Sequence, residues 1–290
     1  MFDSKVLNPI ILNELRKKIS NFRNNDIKAQ VFVPKDISSL QEFIREIYSA
    51  GQHFFPLGGG SNLLIGNAEN DIFICDFALP KAINIKGNEV EISSNYNINV
   101  LLMKLLQHNL GGLEFLAGIP AHLGGIIKMN AGAYGHSISE FVKEVTIVDN
   151  VGKMRKLKAH ELNFSYRNAN IDGFIISAKL VLPNENHLSG KELITSYIEN
   201  RREKQPLNYP NLGCFYKNPS KYSAGYLIDK CGLKGFCIGG ACVSNKHANF
   251  IINKNDATFE DVQKLMQKIE TDVFAKFKIK LEREIKVIGK

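Results

Sequence analysis

The 290-residue chain lacks the long apolar runs that mark membrane and secreted proteins. No stretch approaches the ~18 apolar residues that a membrane-spanning helix needs. Near the start, only residues 9–12 are apolar before charged residues return, and this run is too short for the core of a signal peptide. The sequence therefore predicts a soluble, cytoplasmic protein that does not associate with a membrane.

Cysteine is scarce and shows no metal-binding spacing. The five cysteines are odd in number and form no Cys-x-x-Cys pair, so the sequence suggests neither a zinc site nor a disulfide framework. They fit a reducing compartment. We interpret Cys231, Cys237 and Cys242 as packing residues, and we expect no bound metal.

Positive charge is in excess but is not concentrated. Lysine and arginine number 37 against 29 acidic residues, which gives a net charge of +8. The basic residues are scattered rather than gathered into a stripe, and no RNP-like aromatic motif is present, so nucleic acid is not an expected partner. A small anionic ligand explains the excess equally well.

Hydrophobic periodicity predicts an α+β chain with three segments. A capping box at Ser39 and Glu42 opens the first predicted helix, and its predicted apolar face is Leu40, Phe43, Ile44 and Ile47. The apolar face predicted for the second helix is Ile98, Leu101, Leu102, Leu105 and Leu106. The segment boundaries follow residue 79 and a turn at residues 183–186, which gives segments 1–79, 80–185 and 186–290. Strands are predicted at 31–33, 54–57, 72–75, 83–92 (a hairpin), 144–148, 154–157, 174–182 and 279–287, and helices at 39–50, 98–106, 191–205 and from 258.

Two glycine-dense loops are the first candidates for ligand binding. The loop at residues 58–62 follows a predicted strand and lacks the Gly-Lys-Ser/Thr ending of a P-loop, yet its backbone amides could hold a phosphate. A simple tight turn is the alternative. A second loop spans residues 117–135, and two such loops from adjacent segments suggest a long, flat, anionic ligand that bridges them.

A series of motifs then gives a specific resemblance. Between residues 50 and 289 the chain is similar to UDP-N-acetylenolpyruvoylglucosamine reductases, the MurB family. The matching motifs are Gly-Gly-Gly-Ser-Asn-Leu-Leu at 58–64, Gly-Ile-Pro-x-x-x-Gly-Gly at 118–125, Met-Asn-Ala-Gly-Ala-Tyr-Gly at 129–135, Tyr-Arg at 166–167, Gly-Cys-Phe-Tyr-Lys-Asn-Pro at 213–219, Ala-Gly-Tyr-Leu-Ile at 224–228 and Val-Ser-Asn-Lys-His-Ala-Asn-Phe at 243–250.

The resemblance implies an FAD-binding fold of the vanillyl-alcohol-oxidase/PCMH type. Segments 1–79 and 80–185 would be two α/β subdomains that hold FAD, and segment 186–290 would bind a UDP-sugar. Ala121 and His122 stand where family members commonly have Gly and a small hydroxyl residue, which would crowd the flavin pocket. The implied FAD-binding residues are Gly58, Gly59, Gly60, Ser61, Asn62, Gly118, Ile119, Pro120, Gly124, Gly125, Asn130, Ala131 and Gly132.

The resemblance also assigns catalytic roles. Arg167 corresponds to the arginine that polarises an enolpyruvyl carboxylate, and Glu284 to a carboxylate that assists the same centre. Cys214 stands where the family has a proton-donating serine. An unperturbed thiol has a pKa near ~8.5 and is a stronger acid than a hydroxyl, so the exchange can preserve proton donation. Tyr166, Lys217 and Asn218 are the candidate substrate-binding residues.

Each catalytic candidate also has a structural interpretation. Arg167 could close a surface turn, Glu284 could be solvated or paired with Lys286, and Cys214 could be a buried structural thiol. His247 is interpreted as a structural hydrogen-bonding residue rather than a general acid. The motif series favours the catalytic interpretation for the first three.

The predicted function is the NADPH-dependent, FAD-mediated reduction of UDP-N-acetylglucosamine enolpyruvate to UDP-N-acetylmuramate, a peptidoglycan precursor, by a monomer. Two alternatives stay open at this point. One is a different flavin oxidoreductase of the same fold. The other is a catalytically silent module that binds a nucleotide sugar.

Overall fold

A computed structural model of the chain describes residues 20–24 and 26–290. The apolar run at residues 9–12 lies outside this part. By internal contacts the chain divides into two units. The described parts of the terminal unit are residues 20–24, 26–30, 60–71 and 200–290, and the central unit comprises residues 31–59 and 72–199.

Both units contain strands and helices. The strands are β1 (Lys28–Phe32), β2 (Phe54–Leu57), β3 (Leu63–Ile65), β4 (Asn67–Cys75), β5 (Ile83–Lys86), β6 (Glu89–Ser93), β7 (Gly132–Ala133), β8 (His136–Ser137), β9 (Val142–Val148), β10 (Met154–Lys158), β11 (Phe174–Val181), β12 (Cys237–Ile238), β13 (Ala241–Val243), β14 (Ile251–Asn253) and β15 (Lys286–Ile288). The helices are α1 (Ile37–Ser49), α2 (Ile98–Leu106), α3 (Leu123–Lys128), α4 (His187–Lys204), α5 (Ala224–Lys230) and α6 (Phe259–Phe277).

The main sheet of the central unit has five antiparallel strands in the order β10-β9-β11-β6-β5. Helix α2 belongs to the same hydrophobic core as the sheet residues Val90 and Ile92. The Asn97 side chain caps the helix by accepting hydrogen bonds from two backbone amides of its first turn. The predicted apolar face is confirmed, because all five of its residues are buried: Ile98, Leu101, Leu102, Leu105 and Leu106.

Helix α1 confirms its predicted apolar face but not its predicted start. Leu40, Ile44 and Ile47 are buried in a second core of the central unit. The capping box is formed by Asp36 and Ser39, three residues before the predicted box. Asp36 accepts from the Ser39 amide at 2.7 Å, because a carboxylate one turn earlier is already placed to satisfy that amide.

The glycine-dense loop at residues 117–135 contains a helix that the sequence did not predict. Helix α3 forms because Leu123, Ile126 and Ile127 recur at helical spacing, and all three are buried in the main core of the central unit. The prediction of an uninterrupted loop was therefore wrong. Burial of this apolar face overrides the low helix propensity of Gly124 and Gly125.

The terminal unit has its own core around helix α6. The predicted start near residue 258 is confirmed, and the Thr258 side chain caps the helix. The buried face of Val262, Leu265 and Ile269 packs in a cluster with residues of α5, β13 and β14. Strands β12, β13 and β14 form an antiparallel sheet. The predicted strand at 279–287 is confirmed only for its end, since β15 begins at Lys286.

The interpretation of the cysteines was wrong for one pair. Cys237 and Cys242 form a disulfide across β12 and β13, where they lie directly opposite each other. Two-residue turns such as the one between Ile238 and Ala241 bring residues five apart into register in a hairpin. Cys231 is not disulfide-bonded and is half-buried.

Among the helices that the structure describes, none combines the length and the apolar character required to cross a bilayer. The division into segments 1–79, 80–185 and 186–290 stays a prediction. By internal contacts, the chain forms two units, and each is built from separate stretches of the sequence.

Candidate active site

In the central unit, the start of the first glycine loop lies against the second loop. A Cβ added at Gly59 would be 3.0 Å from the Pro120 carbonyl oxygen and 3.3 Å from the Ala121 Cα. A Cβ at Gly58 would lie 3.6 Å from the Cβ of His122. Only a residue without a side chain leaves the two backbones free to approach this closely.

A hydrogen-bonded pair of side chains lies at the same place. His122 Nδ1 is 2.9 and 3.0 Å from the two carboxylate oxygens of Asp76, and Asp76 is only 4% exposed. The sequence marked His122 as a bulky departure that would crowd the flavin pocket. The structure shows that its ring is held by a buried carboxylate that sequence reasoning missed. Asp76 directly follows the end of β4, and a carboxylate at the end of a predicted strand was the sequence feature that could have identified it.

The second loop is anchored mainly by Asn99 on helix α2. Its Oδ1 accepts from the Gly118 amide at 2.7 Å and its Nδ2 donates to the Ile119 carbonyl at 3.0 Å. Further along, the Gly124 amide donates to the Ser94 carbonyl at 2.8 Å. A Cβ at Gly125 would meet no atom within 4 Å, so the backbone there faces open space.

Asn130 connects this loop to the turn that carries Arg167. It has a positive φ of 40°, and its Nδ2 donates to the Ser165 carbonyl at 2.9 Å. The backbones of Ser165 and Asn168 exchange two hydrogen bonds, of 3.0 and 3.1 Å, around Tyr166 and Arg167. The adjoining candidates Ala131 and Gly132 pair with the chain that returns at 137–138.

Arg167 occupies an uncommon backbone conformation in that turn. Its φ is 58°, in the left-handed region that few residues other than glycine adopt. The guanidinium carbon lies 5.0 Å from the centre of the Tyr166 ring, and Tyr166 is exposed. Arg167 thus lies in a turn, which agrees with the structural interpretation of this residue in the sequence analysis. A strained turn at such a residue also points to a functional constraint.

In the terminal unit, backbone pairing brings together the segments of Cys214 and Glu284. The Glu284 amide donates to the Phe215 carbonyl and the Lys217 amide donates to the Glu282 carbonyl, each at 2.8 Å. This antiparallel contact fixes the register of the two segments. Two of the three predicted catalytic residues therefore lie on paired segments of one unit, and each is half-buried.

Asn249 holds the Cys214 segment on its other side. Its Oδ1 accepts from the Tyr216 amide at 3.0 Å and its Nδ2 donates to the Tyr216 carbonyl at 2.7 Å. The Asn249 carbonyl also accepts from the Phe215 amide at 2.9 Å. Both side chains are buried, and the Asn249 amide pairs with the Tyr216 backbone in the way that a neighbouring strand would. Sequence reasoning quoted Asn249 within a family motif but gave it no role.

Asn62, predicted to bind the cofactor, is hydrogen-bonded to the chain around Glu284. Its Nδ2 donates to the Glu284 carbonyl at 3.2 Å, and its own carbonyl accepts from the Lys286 amide at 3.0 Å. The Gly60 carbonyl, two residues earlier, accepts from the Asn21 amide at 2.9 Å. The end of the first glycine loop therefore helps to position the Glu284 segment.

The remaining candidates have structural contacts. The Lys217 ammonium pairs with Glu282, and the Asn218 side chain accepts from the Ala224 amide at 3.0 Å, where helix α5 begins. Nδ1 of His247 accepts from the Asn249 amide at 3.2 Å. Burial lowers the pKa of His247, which fits a neutral, structural imidazole.

Comparison with known proteins decides the family. A family model described as the C-terminal domain of UDP-N-acetylenolpyruvoylglucosamine reductase matches residues 205–288, and one described as an FAD binding domain matches residues 28–158. A UDP-N-acetylenolpyruvoylglucosamine reductase of Caldanaerobacter subterraneus subsp. tengcongensis is 35% identical over 97% of this chain and 94% of its own. The chain belongs to the UDP-N-acetylenolpyruvoylglucosamine reductase family.

Two further comparisons agree with membership of the UDP-N-acetylenolpyruvoylglucosamine reductase family. The reductase of Orientia tsutsugamushi strain Boryong is 38% identical over 97% of each chain. The crystal structure of the enzyme from Thermus caldophilus superposes with a TM-score of 0.81, with 26% identity over 95% of this chain and 97% of that one. The fold is thus the FAD-binding fold of the vanillyl-alcohol-oxidase/PCMH type with a C-terminal domain of the reductase family, as predicted.

The cofactor of this UDP-N-acetylenolpyruvoylglucosamine reductase family member is FAD, and the residues of the second loop fit it. The open space at Gly125 leaves the backbone of the second loop accessible to a flat, anionic group, and the close packing at Gly59 holds the first loop against the second. The Asn99 side chain keeps the loop between them in place.

Proposed function

We propose that this chain reduces UDP-N-acetylglucosamine enolpyruvate to UDP-N-acetylmuramate, with NADPH as the source of hydride. The observation that carries the proposal is the backbone pairing of the Cys214 and Glu284 segments in a member of this reductase family. We also propose that the reaction takes place in the cytoplasm and that the enzyme is a monomer.

Bound FAD supplies the redox chemistry, because it can accept a hydride from NADPH and pass it to the enolpyruvyl carbon. Both glycine loops would contact the cofactor through backbone atoms. On the second loop these are Gly118, Ile119, Pro120, Gly124 and Gly125, continuing through Asn130. The held imidazole of His122 would add a fixed polar group to that surface.

Arg167 would bind the enolpyruvyl carboxylate. Hydride addition to the neighbouring double bond moves negative charge onto this carboxylate, and a guanidinium stabilises it by paired, charge-assisted hydrogen bonds. The rigid turn around Arg167 supports the proposal, because a stabilising group contributes most when it needs no reorganisation. Tyr166 would contact the substrate next to it.

Cys214 would then protonate the carbon next to the carboxylate. The thiol is on a segment held from two sides, by the chain at 282–284 and by Asn249, so its position is fixed before the substrate binds. The Glu284 carboxylate would assist at the same centre. Lys217 and Asn218 would hold the substrate beside Cys214, with Asn218 also fixing the start of α5.

The absorbance spectrum of the purified protein tests the proposal. We expect a flavin spectrum that NADPH bleaches and that the enolpyruvyl substrate restores under anaerobic conditions. A bleached flavin that this substrate leaves unchanged would favour a different flavin oxidoreductase. A colourless protein that takes up no FAD would favour a silent sugar-nucleotide binder.

Variants of Cys214 test its role separately. Cys214→Ala should still be bleached by NADPH but should restore the spectrum ~10²–10⁴-fold more slowly, the usual contribution of a proton donor. Cys214→Ser should remain active up to a more alkaline pH than the wild type, because a hydroxyl keeps its proton at pH values at which a thiol loses it. Cys231→Ser is the matched control, since Cys231 is a half-buried thiol on the same unit. Restoration at the wild-type rate in Cys214→Ala would remove Cys214 from the reaction.

A further inference from the structure

A cavity of about 300 Å³ lies within the terminal unit and has the Cys237–Cys242 disulfide in its wall. Its twelve lining residues include both cysteines, Lys246 and Lys254, and none of the twelve is acidic. The cavity is therefore positively charged beside a sulfur–sulfur bond. Neither feature has a part in the proposed reductase reaction.

The two cysteine residues differ in their exposure to solvent. Cys237 is exposed on the outer strand β12, whereas Cys242 is 4% exposed on the central strand β13. A thiolate can attack a disulfide only at a sulfur that it can reach. Cys237 is therefore the point of attack, and Cys242 is the leaving group.

The hairpin does not depend on the disulfide for its structure. The cysteines are five residues apart, and a cross-link that closes so short a loop removes little chain entropy from the unfolded state. Strand β13 also pairs with β14, and Ala241 and Val243 are buried in the core of the unit. We therefore expect the sheet to persist when the disulfide is reduced.

The two lysines are positioned by contacts of their own. Lys246 Nζ donates to the Arg202 carbonyl at 2.6 Å, which holds its ammonium group at the end of helix α4. The Lys254 amide donates to the Gly240 carbonyl at 2.9 Å, so Lys254 lies beside the turn between the two cysteines. Two cations that line a cavity beside a disulfide favour an anionic ligand over a neutral or cationic one.

We propose that this cavity binds a carboxylate-bearing small thiol and that the thiol exchanges with the Cys237–Cys242 disulfide. The thiolate of the ligand attacks Cys237 Sγ, the bond to Cys242 Sγ breaks, and Cys242 leaves as a thiolate that takes a proton from water. A second thiol molecule then attacks the mixed disulfide at its ligand sulfur. Cys237 is released as a thiol, and two ligand molecules leave as their own disulfide. Two electrons thus pass from the two small thiols to the protein.

Reduction kinetics of the full-length, FAD-loaded protein test the charge preference. Glutathione, 2-mercaptoethanol and cysteamine are anionic, neutral and cationic probes, and they are compared at equal thiolate concentration because the thiolate is the nucleophile. We expect glutathione to reduce the disulfide roughly tenfold faster than cysteamine at low salt, and this ratio to fall towards one in high salt as the lysine charges are screened.

Lysine variants test whether Lys246 and Lys254 cause the preference for an anionic thiol. Lys246→Gln with Lys254→Gln should bring the glutathione to cysteamine ratio close to one, whereas Lys86→Gln, on an exposed lysine of β5, should leave it unchanged. Equal rates for the two probes in the wild type at low salt would overturn the proposal. So would a double variant that keeps the full ratio.

Cysteine variants identify the reacting sulfur. With oxidised glutathione, Cys242→Ser should acquire a glutathionyl group at Cys237, which peptide mass mapping assigns. Cys237→Ser is the matched control and should react at least several-fold more slowly at the buried Cys242. Faster reaction at Cys242 would contradict the assigned direction of attack. A wild type whose two cysteines both titrate as thiols under oxidising conditions would overturn the proposal altogether.

Discussion

Replacement of Asn249 by alanine is the sharpest test of how the terminal unit holds the Cys214 segment. The Asn249 side chain is the partner of both the amide and the carbonyl of Tyr216. Tyr216 is 1% exposed and Asn249 is 2% exposed, so water does not replace the lost hydrogen bonds. Alanine therefore leaves a buried donor and a buried acceptor without these partners.

The magnitude follows from those two groups. Each buried polar group that loses its partner costs about 1–3 kcal/mol, so Asn249→Ala should lower the free energy of unfolding by roughly 2–6 kcal/mol. For a chain of this size, such a loss corresponds to a fall in Tm of about 3–10 °C. Catalytic turnover should also be lower than in the wild type at temperatures below the melting transition, because the segment that carries Cys214 is less well held.

A urea titration followed by far-ultraviolet circular dichroism measures the loss. Asn84→Ala is the matched control, since Asn84 is exposed on the edge strand β5, and we expect it to change the free energy of unfolding by less than about 0.5 kcal/mol. Asn249→Ala within the same margin of the wild type would refute the reasoning.

Asn249→Asp separates the two hydrogen bonds. An ionised aspartate can still accept from the Tyr216 amide but places a second acceptor against the Tyr216 carbonyl, so it should be strongly destabilising at neutral pH. A protonated aspartate can donate to that carbonyl. The difference in stability from the wild type should therefore shrink as the pH falls to about 4. A deficit that is the same at both pH values would count against this geometry.

Three further predictions concern single contacts. Burial lowers the pKa of His247 in the folded protein. The contribution of its neutral imidazole to stability is therefore complete above the unfolded-state pKa of ~6.5 and is lost as the pH falls towards the lowered pKa. In thermal melts at pH about 7.5 and 5.5, the Tm of the wild type should fall more between the two pH values than the Tm of His247→Asn. Gly59→Ala places a Cβ 3.0 Å from the Pro120 carbonyl oxygen and should weaken FAD affinity about tenfold by flavin fluorescence titration, with unchanged circular dichroism. Tyr216→Phe removes a buried hydrogen bond of 3.2 Å to the Met266 carbonyl and should cost about 1 kcal/mol in urea titration; no measurable loss would indicate that the hydroxyl is not bound there.

The sequence alone determined the family and part of the local structure. Apolar residues at helical spacing predicted the buried face of α2 without error, because periodicity reports directly which side of a helix avoids water. The glycine and Gly-Cys-Phe-Tyr-Lys-Asn-Pro motifs predicted a flavin reductase, and the comparisons confirm this. The roles of Arg167, Cys214 and Glu284 stay predictions.

The polar partners were decided only by tertiary structure. Asp76 meets His122 across 46 residues, and Asn249 meets Tyr216 across 33. The Cys237–Cys242 disulfide is close in sequence, yet it depends on a two-residue turn that composition did not reveal. A side-chain pattern shows which groups are buried, but a hydrogen bond also requires a partner at about 3 Å, and that distance is fixed only when distant parts of the chain pack together.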